Sequence, residues 1–231
     1  MLISVVTAVR NRADTVAEAI ASLQDQSYAS VEHVVQDGAS TDATLQVIAS
    51  VADDRMQLVS EPDHGIYDAI NRGIARATGE VIGLMHSDDA FAASDILADV
   101  ARAFEDPAVD AVYGDLDYVS ARDPARIVRH WRAGRFEPRK LAQGWMPPHP
   151  TLYLRRRVFE AHGPYDTSFR IAADYDAVLR YFSTPRFRAV YVPRVFVKMR
   201  VGGASNASLR QILRKSREDY RALRRNGVGG M

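Results

Sequence analysis

Two adjacent carboxylates, Asp88 and Asp89, close an apolar run that begins after Glu80. Apolar residues bounded by turn-forming types read as a buried strand. In an open α/β sheet the strand ends face the ligand crevice. Two acids at such an end gain nothing as core. They can hold a hard cation against a phosphate, or they can cap a helix in a polar loop. Asp37 ends a second such run, and Asp174 and Asp176 stand two residues apart in Ile171-Ala-Ala-Asp-Tyr-Asp176. If strands two and four are parallel, Asp37 and the Asp88 pair open onto one edge and can share a crevice.

The elements that must position these acids follow from periodicity. Residues 2–9, 31–36, 56–60 and 111–118, with the run into Asp88, read as strands. Residues 15–24, 43–51, 66–77 and 94–105 carry helical spacing, with Thr41 or Asp42 capping the second and Gly79 ending the third. Residues 1–118 thus alternate strand and helix, the signature of a doubly wound, mostly parallel α/β sheet. Residues 122–150 read as loops and short strands. Residues 153–162 and 172–181 read as helical or strand-then-helix, 189–199 as a strand pair or one long strand, and 209–225 as a final helix. The two halves are expected to share one sheet, as a single domain over 1–231.

Composition narrows the chemistry. The 231 residues are 47% hydrophobic, enough for a sizeable core, and contain no cysteine, which excludes disulfides and thiolate metal sites. The apolar runs are too short to span a bilayer, and the N-terminus lacks a signal-peptide pattern. Charge is split: residues 1–121 carry 6 basic and 21 acidic side chains, and residues 122–231 carry 24 and 8. An acidic half suits a cation and a basic half suits anions. The phosphate-binding glycine motifs G-x-G-x-x-G and G-x-x-x-x-G-K-[ST] are absent, as is the G-x-S-x-G nucleophile elbow.

Several motifs, in order, resemble one family. They are Ile3-Ser-Val-Val-Thr-Ala-Val-Arg-Asn11, Asp37-Gly-Ala-Ser-Thr-Asp42, Asp63-His-Gly-Ile-Tyr-Asp-Ala-Ile-Asn-Arg-Gly73 and His86-Ser-Asp-Asp89. Further on stand His149-Pro-Thr151, Gly163-Pro-Tyr-Asp166, Ala173-Asp-Tyr-Asp-Ala-Val-Leu-Arg180 and Gly202-Gly-Ala-Ser205. Together they resemble inverting glycosyltransferase family 2, of GT-A fold, in its bacterial polysaccharide-building branch. The resemblance implies a nucleotide-sugar-binding half over 1–118 and an acceptor-side half over 119–208. Thr7 and Asp37 would meet the uracil-ribose end of a UDP-sugar. Asp68, Asn71 and Arg72 would shape the pocket around base, ribose or sugar. His86 and Asp88 would approach the nucleotide, and Asp88 and Asp89 a divalent metal, Mn2+ or Mg2+, on the diphosphate. Asp174 would be the catalytic base, with Asp176 its rival, and His149 and Asp176 would lie on the acceptor side. His86 stands where the family often has the first acid of its D-x-D motif, which leaves the division of labour between Asp88 and Asp89 open. Ala173 replaces the usual Glu before the base.

The chemistry explains these residue types. A cation neutralises charge on the departing diphosphate. A carboxylate on the opposite face takes the acceptor hydroxyl proton as attack proceeds, worth about 10²–10⁴-fold. The acceptor implied is a saccharide or a lipid-diphosphate-linked saccharide. A sugar-nucleotide pyrophosphorylase would need a glycine-rich loop where Thr7-Ala-Val-Arg-Asn-Arg12 stands. A non-catalytic glycan-binding module would have lost the acids that are present.

The remaining candidates have structural readings. His33 and His64 read as local supports, Trp131 and Trp145 as loop anchors or sugar platforms, and Arg155-Arg156-Arg157 as a solvated face. In the last helix Leu209, Ile212, Leu213, Tyr220 and Leu223 share one side and seven basic residues crowd the rest. Such a helix either packs on the domain or lies on an anionic membrane, a cytoplasmic protein then sitting on the inner face. No nucleic-acid motif is present.

Overall fold

The structure, a computed structural model, describes residues 1–201 and 209–228. The Gly202-Gly203-Ala204-Ser205 motif and the last three residues lie outside the described residues. Strand β1 (Ile3–Val9) is buried along nearly its whole length because it runs between two parallel neighbours, β2 (Val31–Asp37) and β4 (Val81–Leu84). Strand β3 (Met56–Ser60) pairs parallel with β2 and forms the edge.

Side chains alternate across β1, so its two faces meet different helices. Val9 packs with α1 (Val16–Gln24) and α2 (Thr44–Val51) through Val16, Ile20 and Ile48. Ile3 and Val5 on the same face meet α4 (Ile96–Ala103) through Ile96, Leu97 and Val100. Val6 points the other way, onto α3 (Ile66–Arg76). Gly73 lets α3 come close, since a Cβ there would stand 2.3 Å from Val6 Cγ1. Burying Ile70 and Ile74 contributes about 1.5–3 kcal/mol each.

The alternation read from residues 1–118 is borne out as far as β4, and the rest of the sheet departs from a parallel pattern. Strand β8 (Tyr153–Arg155) inserts antiparallel between β4 and β6 (Ala111–Val119). Strand β6 runs parallel to β9 (Ala189–Arg200) and antiparallel to β7 (Ile127–Trp131), which occupies the basic stretch after residue 122. The order is β3-β2-β1-β4-β8-β6-β9-β5 with β7 on β6, one sheet through both halves. The strand expected to run into Asp88 stops at Leu84. Asp89–Phe91 is instead a separate strand, β5, antiparallel to β9. Residues 153–162 are a strand then a helix, β8 and α6 (Arg156–His162). Between them and β7 lies the short helix α5 (Pro138–Leu141), and β9 is one long strand.

Helix α7 (Ala173–Phe182) is buried on most sides, and α8 (Leu209–Arg225) lies along it through the fully buried Ala222. Two readings need correction. Arg155 and Arg156 are not part of a solvated face: they donate to the carbonyls of Phe104 and Gly79, while Arg157 stays exposed as it donates to the Pro107 carbonyl and pairs with Asp110. Leu213 and Tyr220 do not join the packed side of α8; each is 63% exposed.

Candidate active site

The acids gather where β4 ends. After Leu84 the chain turns through Met85, His86 and Ser87, and the Asp89 N–H closes the turn on the His86 carbonyl at 3.1 Å. The β5–β9 ladder then separates the two acids. Ala90 lies opposite Lys198 and Asp89 opposite Met199, so neighbouring residues project to opposite faces. Asp88 is partly exposed and lines a small cleft with Glu18, Ala90, Lys198 and Arg200. Asp89 is 3% exposed, and among the described residues neither carboxyl oxygen has a hydrogen-bond partner. Burial, and secondarily the Asp88 charge, push its carboxyl well above the usual range. Asp89 is thus a buried carboxyl whose neutral form is favoured, on the face of β5 away from the cleft that Asp88 lines.

Asp88 remains as the candidate for a cation. Among the described residues no three His, Asp or Glu side chains converge on a common metal position. Magnesium-type sites are met by one or two carboxylates plus substrate phosphates, and a single partly exposed carboxylate in the turn before β5 fits that arrangement.

His86 stands beside this edge. Its ring centroid lies 5.7 Å from that of His149. Burial, then His149, lower its pKa to about 4, while Asp88 and Asp174 pull the other way. His149 opens a 3₁₀ turn and brings Nε2 to 3.2 Å from the Tyr165 hydroxyl; burial holds its pKa at about 4. Both imidazoles are thus neutral at pH 7.

Asp174 sits in the first turn of α7 and is partly exposed. Burial raises its pKa, against the Tyr175 N–H, the Tyr67 hydroxyl and Lys215. The Tyr67 hydroxyl lies 2.6 Å from the Ile171 carbonyl and 3.3 Å from Asp174 Oδ1. Asp176 faces away. It is fully buried, with Arg180 Nε and Asn226 Nδ2 each donating to it at 3.0 Å. Its reading as an acceptor-side group or rival base is corrected to a structural one.

The nucleotide-side residues divide. Thr7 is 1% exposed, with its hydroxyl 2.9 Å from His33 Nε2 inside the sheet, so direct contact with a ligand is corrected to a packing role. Asp37 is fully buried and accepts from the Ser40 N–H at 2.9 Å and the Ser60 hydroxyl at 2.7 Å; it shapes the 38–42 loop rather than presenting its carboxylate. Asn71 donates to the Tyr165 carbonyl at 2.7 Å and accepts from its N–H at 3.0 Å. Both ends of its amide are occupied, so it holds Tyr165 instead of lining the pocket. Asp68 accepts from the His64 N–H at 3.0 Å and pairs with Arg72 at 2.9 Å, and Arg72 also reaches Glu61 at 2.8 Å. These last two stand at the rim.

Three features were not singled out from the sequence. Asp63 lies over the 38–42 loop, where a Cβ on Gly38 would stand 2.2 Å from its Oδ2. Tyr67, one residue before Asp68, reaches Asp174 across 107 positions. Lys198 and Arg200 alternate onto the Asp88 face of β9, a period-2 pattern legible once the strand is placed. Trp145 proves an anchor: its Nε1 donates to the Ala133 carbonyl at 2.9 Å among Tyr113, Phe136 and Phe182. A cavity of about 450 Å³ near Phe136, Phe182 and Phe187 holds none of the acids.

Comparison with known proteins bears on the family and the fold. A sequence model of glycosyl transferase family 2 matches residues 4–168. The PGL/p-HBAD biosynthesis glycosyltransferase of Mycobacterium bovis (BCG) is 31% identical over 210 residues, covering 89% of this chain and 79% of its own. An uncharacterized glycosyltransferase of Mycobacterium tuberculosis is 31% identical over 181 residues, covering 77% and 68%. Among solved structures, S. aureus TarS 1-349 in complex with UDP-GlcNAc superposes with a TM-score of 0.77 at 18% identity, over 99% of this chain and 66% of that one. The mannosyltransferase PcManGT from Pyrobaculum calidifontis, in complex with GDP-Man and Mn2+, gives 0.70 at 21% identity, over 99% and 65%. The chain spans just under two thirds of those two structures, and the likeness to them is one of fold, GT-A.

Proposed function

The chain belongs to glycosyl transferase family 2, and we propose that it moves a sugar, with inversion, from a UDP-sugar to a saccharide or a lipid-diphosphate-linked saccharide. One observation carries this reading: a continuous row of ring contacts, His86 to His149 to Tyr165 to Tyr67, runs from the turn that bears Asp88 to the Asp174 carboxylate. Two partly exposed carboxylates, Asp88 and Asp174, thus stand at the two ends of one row of rings. Inverting transfer needs that opposition, with leaving-group stabilisation on one side and proton removal on the other.

Asp88 would hold Mg2+ or Mn2+, and the cation, when bound, supplies charge neutralisation for the diphosphate. Asp174, raised by burial, takes the acceptor proton, and Tyr67 keeps its carboxylate in place. Neutral His86 and His149 can donate ring N–H groups to donor oxygens without bringing a positive charge next to the cation. The complexes of TarS with UDP-GlcNAc and of the mannosyltransferase with GDP-Man and Mn2+ support a nucleotide-sugar donor and a divalent cation. On this reading residues 1–118 form the donor half, 119–208 the acceptor half, and 209–231 the basic C-terminal helix and tail of one domain. No helix among the described residues is long and apolar enough to cross a membrane. The outer side of α8 presents Leu213, Arg217, Tyr220 and Arg224 at helical spacing, all exposed, which suits peripheral contact with an anionic inner membrane surface.

The test is a panel of UDP- and GDP-sugars with Mn2+ and candidate acceptors, followed by nucleoside diphosphate release and by NMR of the product anomeric carbon. Release from a UDP-sugar with an inverted anomer is expected. A retained anomer contradicts the base assignment, and release from GDP-sugars alone contradicts the donor.

A further inference from the structure

We propose that Glu218, on α8, is a positioning residue for Asp174: its carboxylate gathers the backbone N–H groups in front of α7 and so fixes the turn on which Asp174 stands. The proposal rests on the reading of Asp174 as the base.

A helix leaves its first N–H groups without internal partners, and a Ser, Thr, Asp or Asn at its start normally accepts from one. Helix α7 has Ala172 at its cap, which has no side chain to do this; Asp174 takes the Tyr175 N–H at 2.9 Å, and the N–H groups of residues 170–172 in front of the helix need another partner. Glu218 fills the gap from 46 residues away. Its Oε2 accepts from the N–H groups of Arg170 at 3.1 Å, Ile171 at 2.8 Å and Ala172 at 3.1 Å. The Tyr67 hydroxyl donates to the Ile171 carbonyl at 2.6 Å. The segment is therefore gripped through its N–H groups by α8 and through a carbonyl by α3. Asp174 follows within the next turn. The other α8 contacts reach side chains: Arg225 pairs with Asp166, Arg221 donates to the Ser168 hydroxyl at 2.6 Å and lies over the Phe169 ring.

Glu218 also carries charge to this place. A helix N-terminus is partly positive and favours a nearby carboxylate over its protonated form. Glu218 offsets that field, which keeps Asp174 more basic than the bare helix end would. Asp174 is faced by Tyr67 from α3, His86 from the turn after β4, Tyr165 from the loop after α6 and Lys215 from α8. None of these replaces Glu218 at the three N–H groups.

The experiment follows kcat/KM against pH, with donor KM measured separately, in wild type, Glu218→Gln, Arg225→Gln and Asp174→Asn. Glu218→Gln is expected to shift the acidic limb to lower pH by about half a unit and to leave donor KM unchanged. Arg225→Gln loses the α8–Asp166 pair and a weaker attraction to the buried Asp176, leaves the three N–H groups on Glu218, and is expected to lower the melting temperature with the limb unmoved. If Glu218→Gln does not fold, Ala172→Ser is added to supply a local neutral cap, and the same downward shift is expected in the double variant. An unmoved limb with Asp174→Asn inactive overturns the role of Glu218 alone, as does an equal shift in Arg225→Gln. Transfer that survives in Asp174→Asn overturns the base reading beneath it.

Discussion

Asp88 and Asp89 are neighbours in the chain and face opposite sides of the β5–β9 ribbon: Asp88 opens onto the cleft with Lys198 and Arg200, and Asp89 is buried with no partner among the described residues. The buried acid has a signed consequence. Its folded pKa is raised, so the folded state keeps a proton over a window where the unfolded chain has lost it. Its contribution to stability is present below the unfolded value, near 4, and is lost as pH rises through the folded value. Asp89→Asn should therefore gain on wild type by about 1 kcal/mol or more between pH 4 and pH 8, read from urea unfolding at both. A variant that loses ground at pH 8 would show Asp89 to be ionised and paired.

Asp174→Asn keeps the shape of the first turn of α7 and removes the base. Donor binding is expected to stay within a factor of about two, and kcat to fall about 10²–10⁴-fold, measured by nucleoside diphosphate release. Asp176→Asn should act differently, lowering the melting temperature through its lost pairing with Arg180 while sparing kcat.

Tyr67→Phe removes a hydroxyl that favours the Asp174 carboxylate. The acidic limb of kcat/KM should move up by about half a unit, opposite in sign to the effect of Glu218→Gln. Donor KM should not change, because Tyr67 meets Asp174, Ile171 and Tyr165 and none of the residues assigned to the diphosphate. A limb that stays in place contradicts the contact.

The exposed stripe on α8 predicts salt-sensitive binding to vesicles containing anionic lipid. Arg217→Gln with Arg224→Gln should weaken co-sedimentation about 10–30-fold at low salt, with transfer to a soluble acceptor unchanged. Equal sedimentation of wild type and variant would leave α8 as a packing element.

The first four strands and their helices were legible because apolar, strand-type runs alternate with stretches of helical spacing. The short strand β5 was not. Its three residues pair with a strand more than a hundred positions away, and without that pairing nothing separates Asp88 from Asp89. Asp174 and Asp176 look alike in the sequence, although Arg180 stands four residues after Asp176 at salt-bridge spacing. The Asn226 contact that completes its burial joins two helices and leaves no local signal. Thr7, Asp37 and Asn71 were read as ligand contacts from their motifs. Each is instead spent on its neighbours in the fold, which only the tertiary hydrogen bonds reveal.

The most direct measurement is calorimetric binding of a UDP-sugar with Mn2+, with and without chelator, in wild type, Asp88→Asn and Asp89→Asn. Wild type and Asp89→Asn should bind and should lose at least about tenfold in affinity on chelation, in line with several kcal/mol for a metal on a diphosphate. Asp88→Asn should bind weakly and ignore the chelator. Wild-type affinity and chelator response in Asp88→Asn, or no nucleotide binding in wild type, would contradict the assignment of this edge to a metal-bound sugar nucleotide.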